Sequence, residues 1–170
     1  LKKASLFGTQ AQDGRLAGAD LASARIAGDL SRAGLRGANL SGADFSADMR
    51  NQSMGLMRGV LNSADLEGAN LAGANLSRAQ LRYANLRGAN LAGASLVGMD
   101  AAGADLTGAN VAGADFSNAD VDSARLIGLA AIASIPSSSP HNIVVSTALK
   151  ATANTAGEKR PRSRQTISRE

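Results

Sequence analysis

From Leu56 to Leu126 an apolar centre recurs at every fifth position: Leu56, Leu61, Leu66, Leu71, Leu76, Leu81, Leu86, Leu91, Leu96, Leu106, Val111, Phe116, Val121 and Leu126, with Ala101 the one small member. Two residues before most of these centres stands an alanine, as at Ala64, Ala69, Ala74, Ala79, Ala84, Ala89, Ala94, Ala104, Ala109, Ala114, Ala119 and Ala124. A period of five fits neither the 3.6 of a helix nor the 2.0 of a simple strand, so the chain must build a repeat architecture. Position 101 obeys the same logic with sizes exchanged. There the centre is Ala101 and the residue two before it is Met99, which keeps the enclosed volume nearly constant.

The pentads also fall into groups of four. Leu66 to Asn85, Leu86 to Asp105 and Leu106 to Arg125 align as three twenty-residue blocks, with Asn-Leu-Ala-Gly-Ala at 70–74 and 90–94 and Asn-Val-Ala-Gly-Ala at 110–114. Pentads such as Ala69-Asn70-Leu71-Ala72-Gly73 and Ala104-Asp105-Leu106-Thr107-Gly108 follow the form Ala-Asp/Asn-Leu-x-Gly. This pattern resembles the pentapeptide-repeat family. The resemblance implies an all-β fold, a right-handed quadrilateral parallel β-helix with one block per turn, about six turns in this length. It also implies that the centres form interior ladders: Leu66, Leu71, Leu76, Leu81, Leu86, Leu91, Leu96, Leu106 and Phe116 are the expected core.

Composition agrees with a solenoid. The chain is 44% hydrophobic but only 2% aromatic, with 19 glycines and no cysteine or tryptophan. Such residues cannot fill a thick globular core, whereas stacked turns enclose a narrow one made of one small and one medium side chain per repeat. Without cysteine there is no disulfide framework.

The repeat is expected over 1–126, with Leu1, Leu6, Ala11, Leu16, Leu21 and Ile26 already in register, so that the chain looks like one begun inside a repeat. Register breaks fall near 27–30, where Leu30 follows Ile26 by four residues, and at 46–60, which carries Met49, Met54 and Met57. The second break reads as a distorted turn or a short surface loop. After Leu126 the composition shifts: Pro136, Pro140 and Pro161 all lie there, and 17 of the 19 glycines lie before it. Residues 127–150 are expected to form a C-terminal cap and linker, and 151–170 a disordered basic tail.

Charge is unevenly placed. Residues 1–126 carry 12 basic and 12 acidic side chains, so the net +4 belongs to the remainder, where Lys159, Arg160, Arg162, Arg164 and Arg169 cluster. Contact with nucleic acid or acidic lipid is therefore expected only through that tail. Within the repeat, Asp100, Asp105, Asp115, Asp120 and Asp122 form a candidate acidic patch.

Catalytic and metal-binding patterns are missing from the sequence. The single histidine, His141, has no ligand-type neighbour, and the recurrent glycines belong to repeat corners, not to a phosphate-binding loop. The chain is expected to be no enzyme, to hold no cofactor or metal, to lack a membrane span and to reside in the cytoplasm. One outer wall stands out, carrying Asn70, Ala72, Asn90, Ala92, Asn110 and Ala112 with no charge and no long side chain. We take it as the candidate interaction wall of a scaffold module that binds a protein partner or itself. The alternative implied by the resemblance is a DNA-mimicking protein of the quinolone-resistance type that binds DNA gyrase or topoisomerase. That role calls for a strongly acidic rod and an aromatic C-terminal cap, and this chain has a neutral body and no aromatic after Phe116.

Overall fold

A computed structural model describes residues 1–47 and 57–129. Leu56, Met49, Met54, the expected cap beyond residue 129 and the basic tail lie outside the described residues. Two continuous strands, β1 (Ser5–Gln10) and β2 (Arg25–Asp29), pair in parallel. Along the rest of the described rod the four walls are held by isolated parallel bridges between residues just before a centre. A pentad gives most of its length to a turn, so only this short segment is extended enough to pair.

The bridges form four ladders, which are the four walls of a coil. One runs Gln10, Asp29, Val60, Gln80, Asp100, Asp120 and is called here the tyrosine wall after Tyr83. The next runs Arg15, Gly34, Asp65, Asn85, Asp105, Arg125, the charged wall. The third runs Asp20, Asn39, Asn70, Asn90, Asn110, the asparagine wall. The fourth runs Ser5, Arg25, Asp44, Asn75, Ser95, Asp115, the serine wall. From Val60 onward every ladder advances by 20 residues per coil, so successive blocks stack in register.

Inside, a thin core runs the length of the rod. Leu66, Leu71, Leu76, Leu81, Leu86, Leu91, Leu96, Leu106 and Phe116 are all buried, as are the alanines two places before the centres. Met99 and Ala101 are buried together, the larger side chain now in the alanine slot. Phe45 shows the same rule at another place. Among the described residues it is the bulkiest fully buried side chain, and the slot beside it holds Gly59 where most repeats have alanine. A Cβ on Gly59 would come within 2.7 Å of Phe45 Cδ1 and 2.8 Å of its Cβ, so the missing methyl makes room for the ring.

The backbone accounts for each N–H of a pentad in a fixed way. Leu86 N donates to Asp105 O in the next coil at 2.7 Å, and Asn85 N donates to Ala64 O in the preceding coil at 2.9 Å. Gly88 N reaches Thr107 O at 2.9 Å, while Ala89 N closes the corner on Leu86 O at 3.1 Å. The fifth N–H, on the residue after the centre, takes a side-chain acceptor: Arg87 N donates to Asn85 Oδ1 at 3.2 Å, Ala92 N to Asn90 Oδ1 at 3.2 Å and Thr107 N to Asp105 Oδ1 at 2.9 Å. Where an Asp or Asn stands before the centre it is therefore the short side chain that completes the backbone's hydrogen bonding, while Arg82 N, preceded by Gln80, takes Asn62 Oδ1 of the coil before at 3.0 Å. The regular corners also hold a left-handed residue, mostly glycine, as a type II turn requires.

Both irregular spacings sit at one corner. The step from the serine ladder to the tyrosine ladder runs from Ser5 to Gln10 in the first coil, Arg25 to Asp29 in the second and Asp44 to Val60 in the third. The ladders accordingly advance by 19 and then 31 residues at these coils, and return to 20 afterwards. The long step is closed at its base by Gly59 N donating to Phe45 O at 2.9 Å. Its returning end lies against the first coil, with Met57 Cε 3.7 Å from where a Gly8 Cβ would stand. The other three corners keep their spacing, so the asparagine wall is untouched by either break.

Candidate interaction wall

The asparagine wall is tied together by its own side chains. Asn110 Nδ2 donates to Asn90 Oδ1 at 3.2 Å, Asn90 Nδ2 to Asn70 Oδ1 at 3.3 Å, Asn70 Nδ2 to Asn39 Oδ1 at 3.4 Å and Asn39 Nδ2 to Asp20 Oδ1 at 3.3 Å. The amides thus form one ladder of a single polarity, of the kind stacked asparagines make in cross-β assemblies. Each of these four oxygens, and Asn110 Oδ1 with them, also accepts the N–H two residues on, from Ala22, Ser41, Ala72, Ala92 and Ala112 in chain order. With both ends of each amide engaged, the row has little rotamer freedom left to lose on contact.

The wall has no raised rim. The corner before it carries Gly18, Gly37, Gly68, Gly88 and Gly108, and the corner after it Ser23 in the first coil and then Gly42, Gly73, Gly93 and Gly113, all with positive φ. Backbone geometry alone does not demand glycine at such a corner. At the end of the tyrosine wall the equivalent left-handed position is held by glycine only at Gly103, and otherwise by Asp13, Arg32, Ser63, Tyr83 and Ser123, with φ between 57 and 60°. Asn70, Ala72, Asn90, Ala92, Asn110 and Ala112 are all half-buried and share this one face.

The charged wall beside it and the tyrosine wall opposite it differ in carrying charges, several of them paired along the rod. On the charged wall Arg36 meets Asp65 at 3.3 Å and Glu67 at 2.8 Å, and Asn85 Nδ2 donates to Asp65 at 3.0 Å. Further on, Arg87 meets Asp105 at 3.1 Å and Arg125 approaches the same carboxylate at 3.9 Å. Burial pushes the Asp105 carboxyl up, but hydrogen bonds from the Thr107 hydroxyl and N–H and from Arg87 outweigh it and hold the group below its usual range. On the tyrosine wall Arg82 pairs with Asp100 at 3.2 Å and Arg32 with Asp13 at 2.8 Å. Tyr83 is 70% exposed, with its ring lying across Gly103.

The five aspartates singled out in the sequence do not form one face. Asp100, Asp120 and Asp122 lie on the tyrosine wall, Asp105 on the charged wall and Asp115 on the serine wall. The cause is the repeat itself, since residues five apart turn a corner and only residues twenty apart stack. Two of the five, Asp100 and Asp105, are also paired with arginines. The Asp115 carboxyl is held below its usual range by hydrogen bonds from the Ser117 hydroxyl and N–H. Among the described residues no cluster of His, Cys, Asp or Glu could hold a metal ion, and no helix is long and apolar enough to cross a membrane. The closure of the fifth backbone N–H by Asp or Asn and the amide ladder were not anticipated from sequence, whereas the glycine corners were. The asparagine every twenty residues at 70, 90 and 110 was the available signal for the ladder.

Among solved structures, HetL, a pentapeptide repeat protein involved in heterocyst differentiation regulation from the cyanobacterium Nostoc sp. strain PCC 7120, is 29% identical over 73% of this chain, with a TM-score of 0.48. The match takes in 62% of HetL, less than two thirds of its length. A trypsin-treated variant of QnrB1, a plasmid-mediated fluoroquinolone resistance protein, matches over 89% of this chain and 91% of its own at 16% identity, with a TM-score of 0.54. Rfr23, a pentapeptide repeat protein from the cyanobacterium Cyanothece 51142, is 31% identical over 61% of this chain and 64% of its own, with a TM-score of 0.31. No curated protein sequence matches the chain significantly. The family model for pentapeptide repeats matches eight copies at residues 29–50, 60–96 and 84–122, which together make half of the chain. With its four parallel ladders and its interior of stacked leucines, this chain belongs to the pentapeptide-repeat family.

Proposed function

We propose that the chain is a non-enzymatic interaction module whose asparagine wall is the contact surface for a protein partner or for a second copy of the chain. The observation that carries this reading is the hydrogen-bonded amide ladder between two bare glycine corners. A partner meeting that wall immobilises no long side chain and strips water from no charge between Asn39 and Ala112, so two of the main costs of association are small. Five coils at ~4.8 Å give a wall of roughly 20 Å. That is only part of the ~800 Å² per partner in a standard interface. The flat corners therefore matter, because they let a partner extend onto the adjoining walls.

A duplex-DNA mimic needs continuous negative charge along a face. The aspartates here are spread over three walls and two of them are neutralised in place. The likeness to QnrB1, at 16% identity, speaks to the fold alone.

The test is Ala92→Arg, which places a long charged side chain at the middle of the wall without entering the core. It should abolish partner capture and self-association, since an unpaired charge would be trapped in the contact. Ala102→Arg, at the equivalent outward position of the tyrosine wall on the opposite side of the coil, serves as the control and should bind as the parent does. Sedimentation and pull-down profiles that are unchanged by Ala92→Arg, with the fold intact by circular dichroism, would overturn the assignment of this wall.

A further inference from the structure

No further inference is drawn: the strongest candidate, the outer edge of β1 in the first coil, where the uncharged strand Ser5–Gln10 exposes half of Phe7, carries nothing because nothing in the structure shows what covers it.

Discussion

Replacing Leu86 by alanine tests the interior ladder directly. Leu86 is 1% exposed, stacked between Leu66 in the preceding coil and Leu106 in the next. Large-to-small core changes of this type cost ~2–5 kcal/mol, and the value depends on how far the surroundings collapse into the cavity. Here collapse is opposed on both sides. Leu66 N donates to Asn85 O and Leu86 N to Asp105 O, each at 2.7 Å, and these bonds fix the distance between coils. The upper half of the range is expected, about 3–5 kcal/mol. At ~2–4 °C per kcal/mol for a chain of this size, the melting temperature should fall by roughly 6–20 °C. Leu86→Met keeps the volume and should cost less than ~1.5 kcal/mol. Thermal and urea unfolding followed by circular dichroism measure both. Coils contact only their neighbours, so a probe at each end would report whether unfolding stays cooperative. A Leu86→Ala protein that melts within a degree of the parent would refute the ladder assignment.

Three other outcomes are expected. Gly59→Ala restores the alanine found in most repeats, yet it should destabilise by ~1–3 kcal/mol, because the added methyl meets the immobile Phe45 ring; denaturant midpoints should show recovery in the double variant with Phe45→Leu. Asn90→Ala removes the acceptor of Ala92 N and breaks the amide ladder on both sides, so a loss of ~1 kcal/mol is expected, whereas Asn90→Ser, which keeps a short acceptor, should lose less in the same unfolding assay. The carboxyls of Asp29, Asp105 and Asp115 are all held below their usual range. Their contribution is then present above the unfolded-state pKa of ~3.9 and is lost as pH falls through the lower folded values. Urea midpoints should drop below pH 4 for the parent and drop less for Asp105→Asn, and equal slopes would count against the Arg87 and Thr107 contacts.

Most of the fold was legible in the sequence because a solenoid's contacts are set by period. Five-residue spacing places Leu86 inside, and twenty-residue spacing places it between Leu66 and Leu106, so no long-range guess is needed. The same arithmetic assigned Asn70, Asn90 and Asn110 to one wall, and carried through to the aspartates it breaks up the acidic patch, because Asp100 and Asp105 are five apart and stack on different ladders. What period could not decide is what happens between side chains of different coils, and where an irregularity is put. Gly59 reads as a weak repeat until Phe45 is seen filling its slot. The shortened step before Asp29 and the long one before Val60 look unrelated in the chain, and only the stacked coils place both at the same corner. The Asp or Asn before most centres looks like surface decoration until the backbone is counted. Then it is the acceptor for the N–H two residues on, which the backbone carbonyls of neighbouring coils leave unbonded. Register is a property of spacing, and spacing is written in the sequence. Volume and hydrogen-bond closure are properties of neighbours, and neighbours twenty or thirty-one residues apart exist only once the coils have stacked.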